Sequence, residues 1–315
     1  MLKYLIVQLA DDSVSFCHYP QGRAGRTIDA QTLRKAIFWA MTENLNIQFV
    51  YPDREVSAEL KEIIHTIDHA DIVGNRCEDA ALRCTAAVVT FDGWDGFAEY
   101  DFRAGQAYLV RASVSELAAH ACVLAEALAK VDRVNVALTD IPSINDVAFE
   151  SYRKTLAQLA VAVKQQYANG HAVQLNLLTD RMVLSEMNNC NAGNESVTLA
   201  PDGRFYICSA FYLDKSHSVG DVETGLNIPN RQLYDLPHAP ICRICDAYHC
   251  RRCVWLNRRL TLEVNTPGRE QCVVAHIERN AVRQLLSDIR QIGDFLPETD
   301  IPEIDYLDPF EKVKR

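Results

Sequence analysis

The chain has 315 residues, 48% of them hydrophobic, enough to bury one large core or two of ordinary size. Its formal charge of −10 argues against a nucleic-acid partner, which calls for a clustered basic face. No run approaches about 18 uncharged apolar residues, and Met1-Leu2-Lys3-Tyr4 does not open a secretion signal, so the sequence predicts no membrane partner and a cytoplasmic protein.

In chain order, the first 180 residues alternate strand-like and helix-like segments, as in a parallel βα series. Strands are expected at 4–9, 47–51, 86–91, 107–110, 134–138 and 173–178, each rich in Val, Ile, Leu or aromatic residues. Between them, Asp29 can cap a helix with Leu33, Ile37 and Met41 on one face, and Ser113 with Glu116 forms a capping box before Leu117, Ala121, Leu124 and Leu128. A third helix starts near Asp146, turns Tyr152, Leu156, Leu159 and Val163 inward, and closes at Gly170. Six βα units are too few for an eight-stranded barrel and suit a partial one, with a doubly wound open sheet as the alternative.

Near Asp180 the helical periodicity stops, and Asn, Gly, Pro and Cys become frequent. The expected organisation is an α/β domain over 1–180, a cysteine-rich metal domain over 181–275, and a C-terminal helix with an acidic tail over 276–315. Within the second region, strands 197–200 and 204–207 flank Pro201-Asp202-Gly203, a hairpin that brings Cys190 and Cys208 together at its base. Val274, Ile277, Ala281, Leu285 and Ile289 then mark the last helix, and the final twenty residues read as an extended acidic tail.

Seven of the eleven cysteines lie in one stretch: Cys190, Cys208, Cys242, Cys245, Cys250, Cys253 and Cys272. In a reducing compartment such a set is metal-binding or catalytic more often than disulfide-bonded. Thiolates suit zinc and iron–sulfur clusters alike, so the pattern alone leaves both open. Seven thiolates are one short of two four-cysteine sites, which leaves one site with a vacancy or a non-cysteine ligand. Cys77, Cys84 and Cys122 read as small buried or partly buried thiols, and His249, beside Cys250, as an ordinary surface or packing histidine, with a ligand or ligand-supporting role as the alternative.

The run Cys190-Asn191-Ala192-Gly193, the hairpin ending Gly203-Arg204-Phe205-Tyr206-Ile207-Cys208, the two C-x-x-C pairs and the lone Cys272 resemble the SPASM domain of radical SAM peptide maturases. That resemblance implies two auxiliary [4Fe–4S] clusters, one on Cys242, Cys245, Cys250 and Cys272 and one on Cys190, Cys208 and Cys253. A further family cysteine is replaced near Leu184. A radical SAM body would carry C-x3-C-x2-C after its first strand. Here the matching loop has Ala10, Val14 and Cys17 at those places, followed by His18 and Tyr19, so one thiolate remains and radical initiation is not expected. A triplet-less body joined to a SPASM-like region is similar to the CXXX repeat peptide maturase family, which implies a degenerate radical-SAM-like partial (β/α)6 barrel, a separate radical SAM maturase and a cysteine-repeat precursor peptide as partners.

Three functions follow. The first is an iron–sulfur accessory protein in peptide maturation, with Arg251, Arg252, Trp255 and Arg258 as possible peptide contacts. The second is an enzyme using an open-site cluster or Cys17 as a nucleophile. The third is a structural zinc protein.

Overall fold

Short runs of β-branched and aliphatic residues give this chain its sheets. The computed structural model describes residues 2–303, which fall into two interleaved units. One runs from the N-terminus to Thr90 and again over Cys190–Arg243; the other covers Phe91–Asn189 and the residues from Ile244 onward. The units thus alternate along the chain, where the sequence suggested successive domains divided near Asp180 and residue 275.

The first unit opens with β1 (Tyr4–Gln8), α1 (Ala30–Thr42), β2 (Asn46–Val50), α2 (Ala58–Ile64), β3 (Ala70–Gly74), α3 (Ala80–Thr85) and β4 (Val88–Asp92). β1 pairs with β2, β2 with β3 and β3 with β4, all parallel and in sequential order. Leu5, Val7, Phe49, Val73 and Val89 are buried, as the strands of a parallel sheet require. Asp29, Ser57 and Asp79 cap the three helices by accepting the backbone N–H of Thr32, Leu60 and Leu82. Two expectations change. β3 is an additional strand, and α1 buries Leu33, Ala36, Ile37 and Ala40 while Met41 is 63% exposed. The face follows i, i+3, i+4, i+7, and a stripe advanced by four residues each time drifts off it.

The second unit begins with β5 (Ala107–Ala112), α4 (Val114–Ala119), α5 (Ala121–Ala127), β6 (Arg133–Leu138), α6 (Asp146–Ala168), β7 (Gln174–Leu175) and α7 (Asp180–Val183). β5, β6 and β7 are parallel neighbours in that order. The Ser113–Glu116 capping box forms, but the single helix expected after it breaks at His120, whose Nδ1 lies 2.9 Å from the Glu116 carbonyl oxygen. The strand expected at 173–178 stops after Leu175. There Asn176 turns its side chain into the ladder, accepting the Val136 N–H at 2.7 Å and donating to the Val136 carbonyl at 3.0 Å. α6 buries Tyr152, Leu156, Leu159 and Val163, and Gly170 follows it at φ +80°, the left-handed closure that glycine permits.

The chain then returns to the first unit. β8 (Ser196–Leu199) pairs parallel with β1, β9 (Phe205–Tyr206) pairs antiparallel with β8, and α8 (Ser209–Leu213) follows. The hairpin is the expected one, with Gly203 at φ +80° in its turn and the Phe205 ring 4.5 Å from Trp39 of α1. In the second unit, α9 (Val254–Thr261) precedes α10 (Arg269–Arg290), which packs on α6 and buries Val274, Ile277, Leu285 and Ile289. α10 begins before Cys272 and so contains it. Part of the expected acidic tail, residues 304–315, lies outside the described residues. Among the described residues no helix is long and apolar enough to cross a membrane.

Leu159→Ala removes a fully buried side chain from α6 and is expected to cost about 2–5 kcal/mol. Val161→Ala, on the same helix but 69% exposed, should stay within about 0.5 kcal/mol of wild type. Urea unfolding midpoints of the two variants check the contrast; equal losses would contradict the orientation of α6.

Candidate functional site

The loop after β1 is where the sequence places a degenerate cluster site. Ala10 and Val14, at two of the three triplet positions, are 0% and 4% exposed. The Val14 N–H donates to the Tyr51 carbonyl at 2.9 Å, and the Ser13 hydroxyl donates to the Val50 carbonyl at 2.8 Å, so this stretch is stitched to the end of β2. Asp11 ties in the other limb of the loop. Its N–H donates to the Arg26 carbonyl at 2.9 Å, and its carboxylate accepts the Arg26 N–H at 2.7 Å and the Tyr212 hydroxyl. Burial and the Asp11 carboxylate push the Tyr212 hydroxyl up, so it remains a donor. At Gly22 a Cβ would stand 2.0 Å from the Asp11 carbonyl oxygen, and at Gly25 2.4 Å from its carboxylate. Glycine is what lets the two limbs close.

Cys17 lies further along this loop and is half-buried. The Cys208 residue is half-buried but its sulfur is sunk from solvent, and its thiol is pushed up by burial first and then by the neighbouring Cys190 and Cys17. Cys190 is exposed, and its carbonyl accepts the Ser196 hydroxyl at 2.9 Å across the hairpin base. Cys190 and Cys17 thus both act electrostatically on Cys208, a link the spacing does not announce because 191 residues separate Cys17 from Cys208. Cys242, buried, also belongs to this unit.

Cys245, Cys250, Cys253 and Cys272 belong to the other unit. There the segment 245–250 lies along the first turns of α10. The Arg279 Nε donates to both Asp246 carboxylate oxygens at 2.9 Å, and the Arg181 Nε donates to the Asp246 carbonyl at 2.6 Å. Burial alone would raise the Asp246 carboxyl, but Arg279 and Arg181 outweigh it and hold it below its ordinary value. His249 Nε2 lies 3.1 Å from the Ala275 carbonyl oxygen and 3.2 Å from the Glu278 carboxylate. Glu278 also accepts the hydroxyl of the fully buried Tyr152. Cys245 Sγ lies 3.6 Å from Nε2 of His276, and burial pushes its thiol up. Cys272, Ala275, His276 and Arg279 share one helix face by their i, i+3, i+4 and i+7 spacing. His276 is a residue the sequence reading passed over; its only signal was its place one turn after Cys272.

Among the described residues no group of three or more His, Cys, Asp or Glu side chains is gathered to hold a metal ion. The donors suit a thiophilic ion in kind, and Cys245 with His276 suits one in spacing as well. None of the eleven cysteines is in a disulfide. Cys77 is buried, but Cys84 and Cys122 are exposed, against the expectation of buried or partly buried thiols. Of the expected peptide contacts, Arg252 and Trp255 are 1% and 5% exposed and are withdrawn from the surface. Arg251 reaches the Asn135 side chain at 3.4 Å, and Arg258 is exposed.

No protein-family model matches the chain, and no curated protein matches it. Two solved structures of SuiB from Streptococcus suis are similar. One, bound to the precursor peptide SuiA, is 13% identical over 84% of this chain and 74% of that one, with a TM-score of 0.45. The other, bound to S-adenosylmethionine, is 11% identical over 86% and 77%, with a TM-score of 0.48. Neither reaches 0.5, so the likeness carries no argument about this chain's chemistry.

Because the Asp246 carboxyl is held low, its contribution to stability is present above the ordinary carboxylate pKa and is lost as pH falls through its lower folded value. Asp246→Asn should therefore lower Tm at neutral pH and flatten the fall of Tm on acidification. Parallel Tm–pH curves for variant and wild type would contradict this. Gly22→Ala should destabilise the first unit by at least about 1 kcal/mol, read as a lower urea midpoint; an unchanged midpoint would show that the loop opens without cost.

Proposed function

We propose that this chain is a non-initiating accessory protein in the maturation of a ribosomally made cysteine-repeat peptide, and that it carries thiolate-bound metal and works with a separate radical SAM maturase. The observation that supports the reading best is the state of the loop after β1. Ala10 and Val14 are core residues there and Asp11 is bonded into the loop closure, leaving Cys17 as the sole thiol of the three triplet positions. The metal reading rests on the thiols of both units, Cys190, Cys208 and Cys242 in one and Cys245, Cys250, Cys253 and Cys272 in the other. When bound, [4Fe–4S] clusters on such thiols supply one-electron transfer or a site for a substrate thiolate. In this reading the exposed Arg258 and the half-buried Arg251 would meet an acidic peptide.

A second reading, a structural zinc protein, is favoured by one contact, the approach of Cys245 to an imidazole rather than to further thiols.

The test is anaerobic co-purification of the chain with a radical SAM maturase and its cysteine-repeat precursor, with iron, sulfide and zinc measured on the same sample. The accessory reading expects a retained complex and iron with matching sulfide. Zinc without sulfide selects the structural reading, and loss of both partners by a metal-replete chain contradicts the accessory role.

A further inference from the structure

We propose that the groove between α6 and α10, both in the second unit, is a docking site for an amphipathic helix of a partner polypeptide, about four turns long and acidic along one edge. The inference uses none of the thiols and stands apart from the metal reading. Three observations carry it.

The first is shape. α6 and α10 run in the same direction. The Arg269 guanidinium lies 5.9 Å over the Phe149 ring near their starts, the Tyr152 hydroxyl donates to Glu278 further along, and the Tyr167 ring meets Phe295 at 5.0 Å near their far ends. Between these ties the helices leave a groove of about 790 Å³, walled by α6 from Arg153 to Ala168 and by α10 and the residues just after it from Ile277 to Ile292. At 1.5 Å per residue each wall is roughly 22 Å long, about four turns of helix.

The second is the lining. Ala157, Ala160 and Ala281 contribute only short side chains, while Ile277 and Leu285 are buried at the base. Val161 and Ile292 remain 69% and 47% exposed, apolar surface that an occupant would remove from water. Of the recurring ways in which a polypeptide docks, an added strand needs an open sheet edge and a polyproline helix needs an aromatic-lined groove. Both walls here are helices, whose backbone groups bond internally, and no aromatic residue lines the groove among the described residues. A third helix laid along the two, with larger apolar side chains set against the alanines, fits the space.

The third is charge. Arg153 and Lys164 line the α6 wall, both half-buried. They fall on one helix face, three turns and roughly 16 Å apart. Glu150 pairs with Arg153 at 3.2 Å but does not itself line the groove. On the α10 wall the anion is Asp288, whose carboxylate accepts the Gln284 side-chain N–H at 3.0 Å. A docked helix complements these charges with carboxylates toward α6 and a cation toward Asp288. Reversing its direction would swap the two edges, so the charges also select its orientation.

The probe is a fluorescein-labelled helical peptide of about 18 residues, with Leu along one face, Glu along one edge and Lys along the other, titrated into the full chain and followed by anisotropy. Saturable binding is expected, and Val161→Glu, at an exposed position, should weaken it at least about tenfold. Lys164→Glu should weaken it at least about threefold and should prefer a peptide with Lys on both edges, a reversal that a folding defect cannot produce. No saturable binding would overturn the proposal. Equal binding of a peptide of the same composition with its apolar stripe scrambled, or an affinity unmoved by both variants, would do the same. Dimers of the chain that Val161→Glu abolishes, with the peptide left unbound, would give the groove to a second copy and overturn the helix of a separate partner. None of these outcomes alters the iron, sulfide and zinc content of the chain, so this inference and the proposed function fail separately.

Discussion

The hydrogen bonds of Asp11 hold the loop after β1 in the first unit closed. Asp11 stands three residues beyond β1, where loops of parallel α/β sheets ordinarily host reactions. Here its hydrogen bonds to Arg26 and Tyr212 close the loop on itself, with Gly22 and Gly25 allowing the close approach. Ala10 and Val14 are pulled into the core by the same closure. Asp11 is half-buried, and its carboxylate is bonded to this chain's own backbone and hydroxyl groups.

The second unit is organised by a different requirement. Arg181, Arg279, Glu278, His249 and Tyr152 are all nearly buried and are bonded to one another or to Asp246. Removing one member of such a network leaves a charge stranded, which costs far more than the pair contributes. The network therefore holds the segment 245–250 against α10 and gives the cysteine-rich region a fixed partner along one helix face. α6, which brings Tyr152 to Glu278, also packs on α10.

Much of this was legible in the sequence because it is local. Asp29, Ser113 with Glu116, Gly170 and the Pro201-Asp202-Gly203 turn each act through bonds within a few residues, and each appears where expected. The parallel α/β class followed from the same periodicity. β3 escaped notice because its five residues, Ala70-Asp71-Ile72-Val73-Gly74, include only two that favour strands. The shortening of β7 depends on Asn176 bonding across to Val136, a contact 40 residues away that no local pattern announces. The candidate site divides the same way. The thiols and their spacing could be read directly, whereas the electrostatic influence of Cys17 on Cys208, the burial of Arg252 and Trp255, and the contact of Cys245 with His276 arise only when distant segments meet.

The accessory role proposed for this chain expects no radical initiation at the loop after β1, where one thiol, Cys17, remains at the triplet positions. It is tested most directly by incubating the anaerobically reconstituted and reduced chain with S-adenosylmethionine, with and without a cysteine-repeat peptide, and assaying reductive cleavage. No cleavage above a protein-free blank is expected in either case. Turnover that depends on the chain and disappears in Cys17→Ala would contradict it.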